Sequence, residues 1–113
     1  NLQIGARGDS AGFFDGEISN VSIFNTALTS TQVETIYNNG APNDISSLSP
    51  VGWWKLNAAD TFDGSDWTIN DYGSGGNDGT SVGMTSSNLV VSDLQQTSGY
   101  SPYALDFDGV NDI

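Results

Sequence analysis

Residues that favour turns punctuate this sequence so densely that its ordered elements must be short. Fourteen glycines are joined by many serines, threonines, asparagines and aspartates, all suited to reversing the chain. Short strands bounded by such clusters point to an all-β fold. Three Trp, four Tyr and five Phe can supply a packed core and argue against disorder. The length, 113 residues, suits one small domain.

The alternation of apolar residues places the elements. Leu2 and Ile4 share one face of a short N-terminal segment, and "RGDSAG" after it is a loop. Phe14 to Phe24 is strand material with a turn at Gly16. Ile18 has the wrong parity to share a face with Val21 and Ile23, and a bulge near Ser19–Asn20 would repair this. Thr29 and Gln32 form a T-x-x-Q capping box that starts the one clear helix. Val33, Ile36 and Tyr37 give that helix a narrow apolar face for packing on a sheet. Gly40 is placed to end it in the left-handed conformation, and Pro42 prevents continuation.

Residues 41–50 read as a linker rich in Pro and Ser. Val51 to Leu56 is a strand with Trp54 and Leu56 on one face, Trp53 and Lys55 on the other. Residues 57–80 form a long polar excursion carrying Trp67 and Ile69. "NLVVSDL" is another strand. In "YALDFDGVNDI", Ala104, Asp106 and Asp108 alternate with Leu105, Phe107 and Gly109. The pattern as a whole predicts an antiparallel β-sandwich with one helix.

Charge and composition exclude several function classes. Fourteen acids oppose only Arg7 and Lys55, for a net charge of −12. Such a surface repels phosphate backbones and anionic lipid, so neither nucleic acid nor a membrane surface is an expected partner. With no Cys and no His, disulfides, thiolate nucleophiles, Cys/His zinc sites and a histidine base are all excluded. No apolar run is long enough to span a bilayer. The chain starts at Asn1 without a Met and stops at Ile113 inside a strand pattern, as expected of a piece of something longer.

Three stretches resemble the laminin-G-like branch of the concanavalin A-like lectin/glucanase superfamily. The first is "FDGEISNVSIFNTAL" with the helix after it. Phe14, Asp15, Gly16, Ile18, Val21, Ile23, Phe24, Asn25, Ala27, Leu28, Ile36, Tyr37 and Gly40 stand where the family has F-D-G-x-I-D-x-V-x-I-Y-N, A-L-S and L-Y-x-x-G. Ser19 replaces the family's Asp. The second is Trp54-Lys55-Leu56 with "DYGSGGNDGT", similar to the family's opening W-x-L strand and D-x-S-G-x-G-N-D-G-T loop. Asp71, Gly76, Asn77, Asp78, Gly79 and Thr80 fit, with Gly73-Ser74 in displaced order. The third is "ALDFDGVNDI", similar to A-L-x-F-D-G-x-D-D-Y/F, with Asn111 in place of an acid.

In that family the W-x-L strand comes first and the F-D-G-x-I strand last, whereas here the order is reversed. The resemblance therefore implies residues 1–40 as the end of one jelly roll, 41–50 as a linker, and 51–113 as the start of a second. A permuted single domain is the alternative, since the first and last strands of the fold lie close together. A junction within tandem repeats is the favoured expectation. Each part alone, roughly 40–65 residues, is near the size where a core is marginal. On this view the isolated chain is not expected to fold stably as a monomer.

Candidate sites follow from the residues and the resemblance. Arg7-Gly8-Asp9-Ser10 spells an integrin-binding tetrapeptide, which we read as a chance occurrence in a loop. The resemblance implies one structural Ca²⁺ near the acidic loops, with Asp71, Asn77, Asp108 and Asp112 among the about six to eight oxygens needed. The same residues also serve turns through their own side-chain hydrogen bonds, and that is the preferred reading. "DFDGVND" lacks the acid, Gly and Glu spacing of an EF-hand. Trp53 and Trp67 are candidates for a sugar-stacking platform, while Trp54 holds a core position in the family. Asn20-Val21-Ser22 is a glycosylation sequon within a strand. Glycosidases of the superfamily carry E-x-D-x-x-E on one strand. The only glutamates here, Glu17 and Glu34, lie on different elements, so no catalysis is expected.

The resemblance implies a non-catalytic module of a larger extracellular, cell-surface or virion-surface protein that binds glycans or mediates adhesion. The alternative is a structural repeat or decoration domain of a fibre, capsid or tail that contacts neighbouring protein subunits. Exposed aromatics and a Ca²⁺-organised loop would favour the first, and ordered strand pairing between chains, with Trp53 and Trp67 buried, the second. A segment of a glycan-degrading enzyme ranks below both, since fold alone does not license it.

Overall fold

The computed structural model describes residues 2–6, 12–92, 103–110 and 112. They form a mostly β structure with one short helix. The strands are β1 (Asp15–Ile18), β2 (Val21–Ile23), β3 (Gly52–Trp54), β4 (Thr61–Phe62), β5 (Trp67–Ile69), β6 (Gly79–Thr80), β7 (Leu89–Val91) and β8 (Tyr103–Asp108), and the helix is α1 (Ser30–Tyr37). They make three small antiparallel sheets, ordered β1-β8-β7, β2-β3 and β4-β5-β6. Among the described residues no helix is long and apolar enough to cross a membrane.

Strands distant in sequence share these sheets. Ile18 of β1 stands opposite Leu105 of β8, and Val21 of β2 opposite Trp54 of β3. All three sheets contribute to one core of Trp54, Leu56, Trp67, Ile69, Met84, Leu105 and Phe107. Ile4, Ile18, Val21 and Leu89 pack against it, half-buried. Strand β8 lies between two neighbours, and Ala104, Leu105 and Phe107 are all buried along it. The parity read in "ALDFD" therefore separates Leu105 and Phe107 from Asp106, but does not expose Ala104.

The parity conflict between Ile18 and Val21 has a different resolution from the expected bulge. The chain leaves one sheet after Ile18 and enters another at Val21, so both side chains reach the core from different sheets. Asn20 makes the change with φ of 56°, a left-handed conformation that Asn tolerates better than most residues. Its N–H donates to the Lys55 carbonyl at 2.9 Å. Val51 to Leu56 is shorter as a strand than expected. It ends at Trp54, and Leu56, with φ of 54°, turns its side chain back into the core.

Helix α1 starts as its sequence dictates. The Thr29 hydroxyl accepts from Gln32 N–H at 3.2 Å, and Thr29 N–H donates to the Gln32 side chain at 2.8 Å. Thr29→Ala removes one acceptor for an end-of-helix donor, and should cost about 1 kcal/mol in a urea melt. An unchanged midpoint would mean the helix contributes nothing to the cooperative unit. The other end differs from expectation. Asn38, not Gly40, is the first left-handed residue, at φ of 45°, and its side-chain amide donates to Ala41 O at 3.3 Å. The expected packing face is also incomplete: Ile36 is half-buried, whereas Val33 and Tyr37 are exposed.

The polar excursion holds more structure than its composition suggested. Strands β4, β5 and β6 are two or three residues each, too short to show a period. They are held by buried Trp67 and Ile69 on one face of β5, with Phe62 tilted against Trp67 at 5.5 Å between ring centroids. Of "NLVVSDL", Leu89 to Val91 form β7, and its last two residues lie outside the described residues.

Candidate functional site

The loop from Asp71 to Asp78 is built around one carboxylate. Asp71 pairs with Trp54 as an isolated bridge, which brings its side chain against the start of β3. Its Oδ1 accepts from Trp53 N at 2.9 Å and Gly73 N at 2.8 Å, and its Oδ2 from Asn77 N at 2.8 Å. Asp78 in turn accepts from Asp71 N at 2.8 Å. Burial alone would raise the Asp71 carboxyl, but the backbone donors of Trp53, Asn77 and Gly73 outweigh it and hold it below the ordinary value. The displaced Gly-Ser order has a steric reason. A Cβ on Gly73 would stand 2.6 Å from the Val51 carbonyl, so glycine is required where the loop crosses the chain leading into β3.

The other two candidate metal ligands lie at a separate turn. Asp112 is 1% exposed. Its Oδ2 accepts from Asp108 N at 3.1 Å and from the Asn88 amide at 3.2 Å, while its Oδ1 is buried without a partner. Burial pushes its carboxyl upward. The Asp108 and Asn88 donors oppose this, and the charges of Asp108 and Asp106 push it further up. Asp108 Oδ1 accepts from Val110 N at 2.9 Å, as in an ordinary Asx turn. Among the described residues no three acids come together as a group able to hold a metal ion. Asp108 bonds as a turn-forming acid, while Asp71 adds to its turn bond from Gly73 a tertiary tie to Trp53, 18 positions away.

Asp112→Asn tests whether this buried charge is needed. The amide oxygen can accept the same two donors while repulsion with Asp106 and Asp108 disappears. Stability at neutral pH should stay level or rise by up to about 1 kcal/mol. A loss above about 2 kcal/mol would mean that the charge itself is required there, as a bound cation would demand.

Neither candidate stacking residue offers an open ring. Trp67 is 4% exposed, its indole N–H donating to Thr85 O at 2.8 Å and its backbone N–H to the Ser81 hydroxyl at 2.8 Å. Trp53 is 3% exposed, on the side of β3 away from the main core. Lys55 Nζ lies 4.7 Å from its ring centroid and 4.2 Å from that of Tyr72, whose edge meets Trp53 at 6.0 Å. Lys55 is the one cationic side chain among the described residues, and it is seated between two aromatic faces. The shared face of Trp53 and Lys55 was legible in their alternation; Tyr72 carried no signal. Trp54 is in the core, its indole N–H donating to Asn77 O at 3.0 Å.

The feature no residue pattern announced is a cavity of about 620 Å³. Trp54, Leu56, Ile69, Met84, Leu105 and Phe107 form its apolar wall. Asn77, Asp78, Thr80 and Ser81 supply its polar side, and exposed Leu2 and Ile23 stand at its mouth. Asp78 is the one acid among the described residues lining it. Asn20 of the sequon is half-buried in the left-handed link between β1 and β2. Arg7 to Ser10 lie outside the described residues. In comparisons with known proteins, no family model, no curated protein and no solved structure matches the chain.

Proposed function

We propose that the chain is a non-catalytic β module of the laminin-G-like jelly-roll kind, acting outside the cell or on a virion surface by contact with other polypeptide. The cavity is the observation that carries this reading. Protein interiors are close-packed, with few voids larger than a water molecule. A hollow of about 620 Å³ that reaches from exposed Leu2 and Ile23 to core residues such as Leu105 and Phe107 forfeits dispersion contacts along its exposed lining. Side chains of another segment would restore them. Burial of Trp53 and Trp67 supports the same reading, as do exposed Val33 and Tyr37 on α1. Glycoside hydrolysis needs paired carboxylates, and the described cavity wall holds only Asp78.

A panning experiment with phage-displayed random peptides tests it. Peptides should enrich on the wild-type chain and be lost on Ile23→Ser, at the cavity mouth. Tyr72, which is 40% exposed, favours a second reading as a glycan-contacting ring. If no peptide enriches and a glycan array shows binding that Tyr72→Ala abolishes, the contact reading gives way to that one.

A further inference from the structure

Building on the polypeptide-contact reading, we infer that the cavity takes the inward side chains of a basic, extended segment that adds to the edge of β2. Two strand edges flank the cavity. Strand β2 pairs with β3 and with no other strand among the described residues, and its last residue, Ile23, lines the mouth. Strand β6 is an edge of its own sheet, and both Gly79 and Thr80 also line the cavity. Asn20 N–H bonds to the β3 side, and Ser22 stands opposite Trp53 with the same parity. Antiparallel alternation then turns the backbone N–H and C=O of Val21 toward the open side. Such an edge is a template for an added strand.

Size and charge narrow the occupant. The cavity is about four times the volume of a 150 Å³ apolar hollow that holds one benzene ring. Several inward side chains of a strand fill that volume, and the strand also satisfies the β2 edge, which a small apolar molecule leaves open. A second copy of this chain would bring another −12 against the same surface, with Asp78 at the cavity. Like charge disfavours that encounter, and a basic segment is attracted by it.

The probe is a short synthetic peptide alternating Val and Lys, added to the full chain and followed by amide NMR shifts and tryptophan fluorescence. Controls carry Glu for Lys, or Pro at alternate positions. The Val–Lys peptide should bind, move the amides of Val21, Ile23 and Thr80, and weaken about tenfold or more from low to high salt. Ile23→Ser should weaken it about tenfold, and Val33→Ser on α1 should leave it unchanged. Equal binding of the Glu or Pro peptide, shifts confined to other strands, or no binding would each overturn the inference. Panned peptides that enrich without being basic and alternating would also overturn it, while leaving the polypeptide-contact reading in place.

Discussion

Trp67→Ala is expected to destabilise the chain by about 4 kcal/mol and lower its melting midpoint by roughly 15–20 °C. The indole is buried in the core, tilted against Phe62, and donates to Thr85 O. Truncation leaves a void and an unpaired carbonyl together. A domain of this size has only about 5–15 kcal/mol of total stability, so the variant should be largely unfolded near body temperature. Trp67→Phe keeps most of the packing and loses the N–H, and should cost about 1–2 kcal/mol. Thermal melts followed by far-UV circular dichroism read both. If Trp67→Ala melts like the wild type, the indole contributes nothing to the cooperative core.

Asp71→Ala should cost about 3 kcal/mol. It removes the shared acceptor of three backbone donors, one of them at buried Trp53. Hydrogen bonds to a charged group contribute about 1.5–3 kcal/mol each, and losses within one network are not additive. Asp71→Asn, which keeps one acceptor oxygen, should fall between. The difference should be the same in Ca²⁺ and in chelator, because the bonds are to backbone amides. A loss seen only with Ca²⁺ present would make Asp71 a metal ligand.

The pH dependence of stability follows from the same group. Its folded carboxyl is held below the ordinary value of 3.8. Its contribution is therefore complete above that value and is lost as pH falls through the lower, folded one. Asp60 and Asp112 act in the opposite sense. Burial raises Asp60, partly offset by the backbone donors of Asn70 and Asn57 and by Lys55. A raised carboxyl favours the folded state when protonated, and that share is lost as pH rises from 3.8 through the raised value. Asp112→Asn should make the second limb shallower, leaving the share of Asp60, and Asp71→Ala should make the first shallower.

The legible parts of the molecule were those decided within a few residues. The Thr29 capping box was readable because its two bonds span three positions. The shared face of Trp54 and Leu56 was readable from local alternation, the core position of Trp54 from the family resemblance, and Asp71, Asn77, Asp108 and Asp112 from their residue type as turn formers. The link at Asn20 was visible only as a parity fault, because the identity of each partner strand lies far away in sequence. Strands β4 to β6 were hidden by their length, since a period needs more than two or three residues to be seen.

What the sequence determined by itself was the class and its chemistry: short strands with one capped helix, a strongly acidic surface, and no cysteine or histidine chemistry. Those follow from residue types and near neighbours, where backbone preference and side-chain inventory act directly. What only the tertiary structure decided was that all three tryptophans are buried, which carboxylates meet, and whether the core is full. Trp53 lies on the face of β3 away from the core and is nonetheless buried, because Lys55 and Tyr72 close over it. Asp71 and Asp112 belong to different turns. The cavity exists because three small sheets converge without filling the space between them, a property of their packing that no single segment carries.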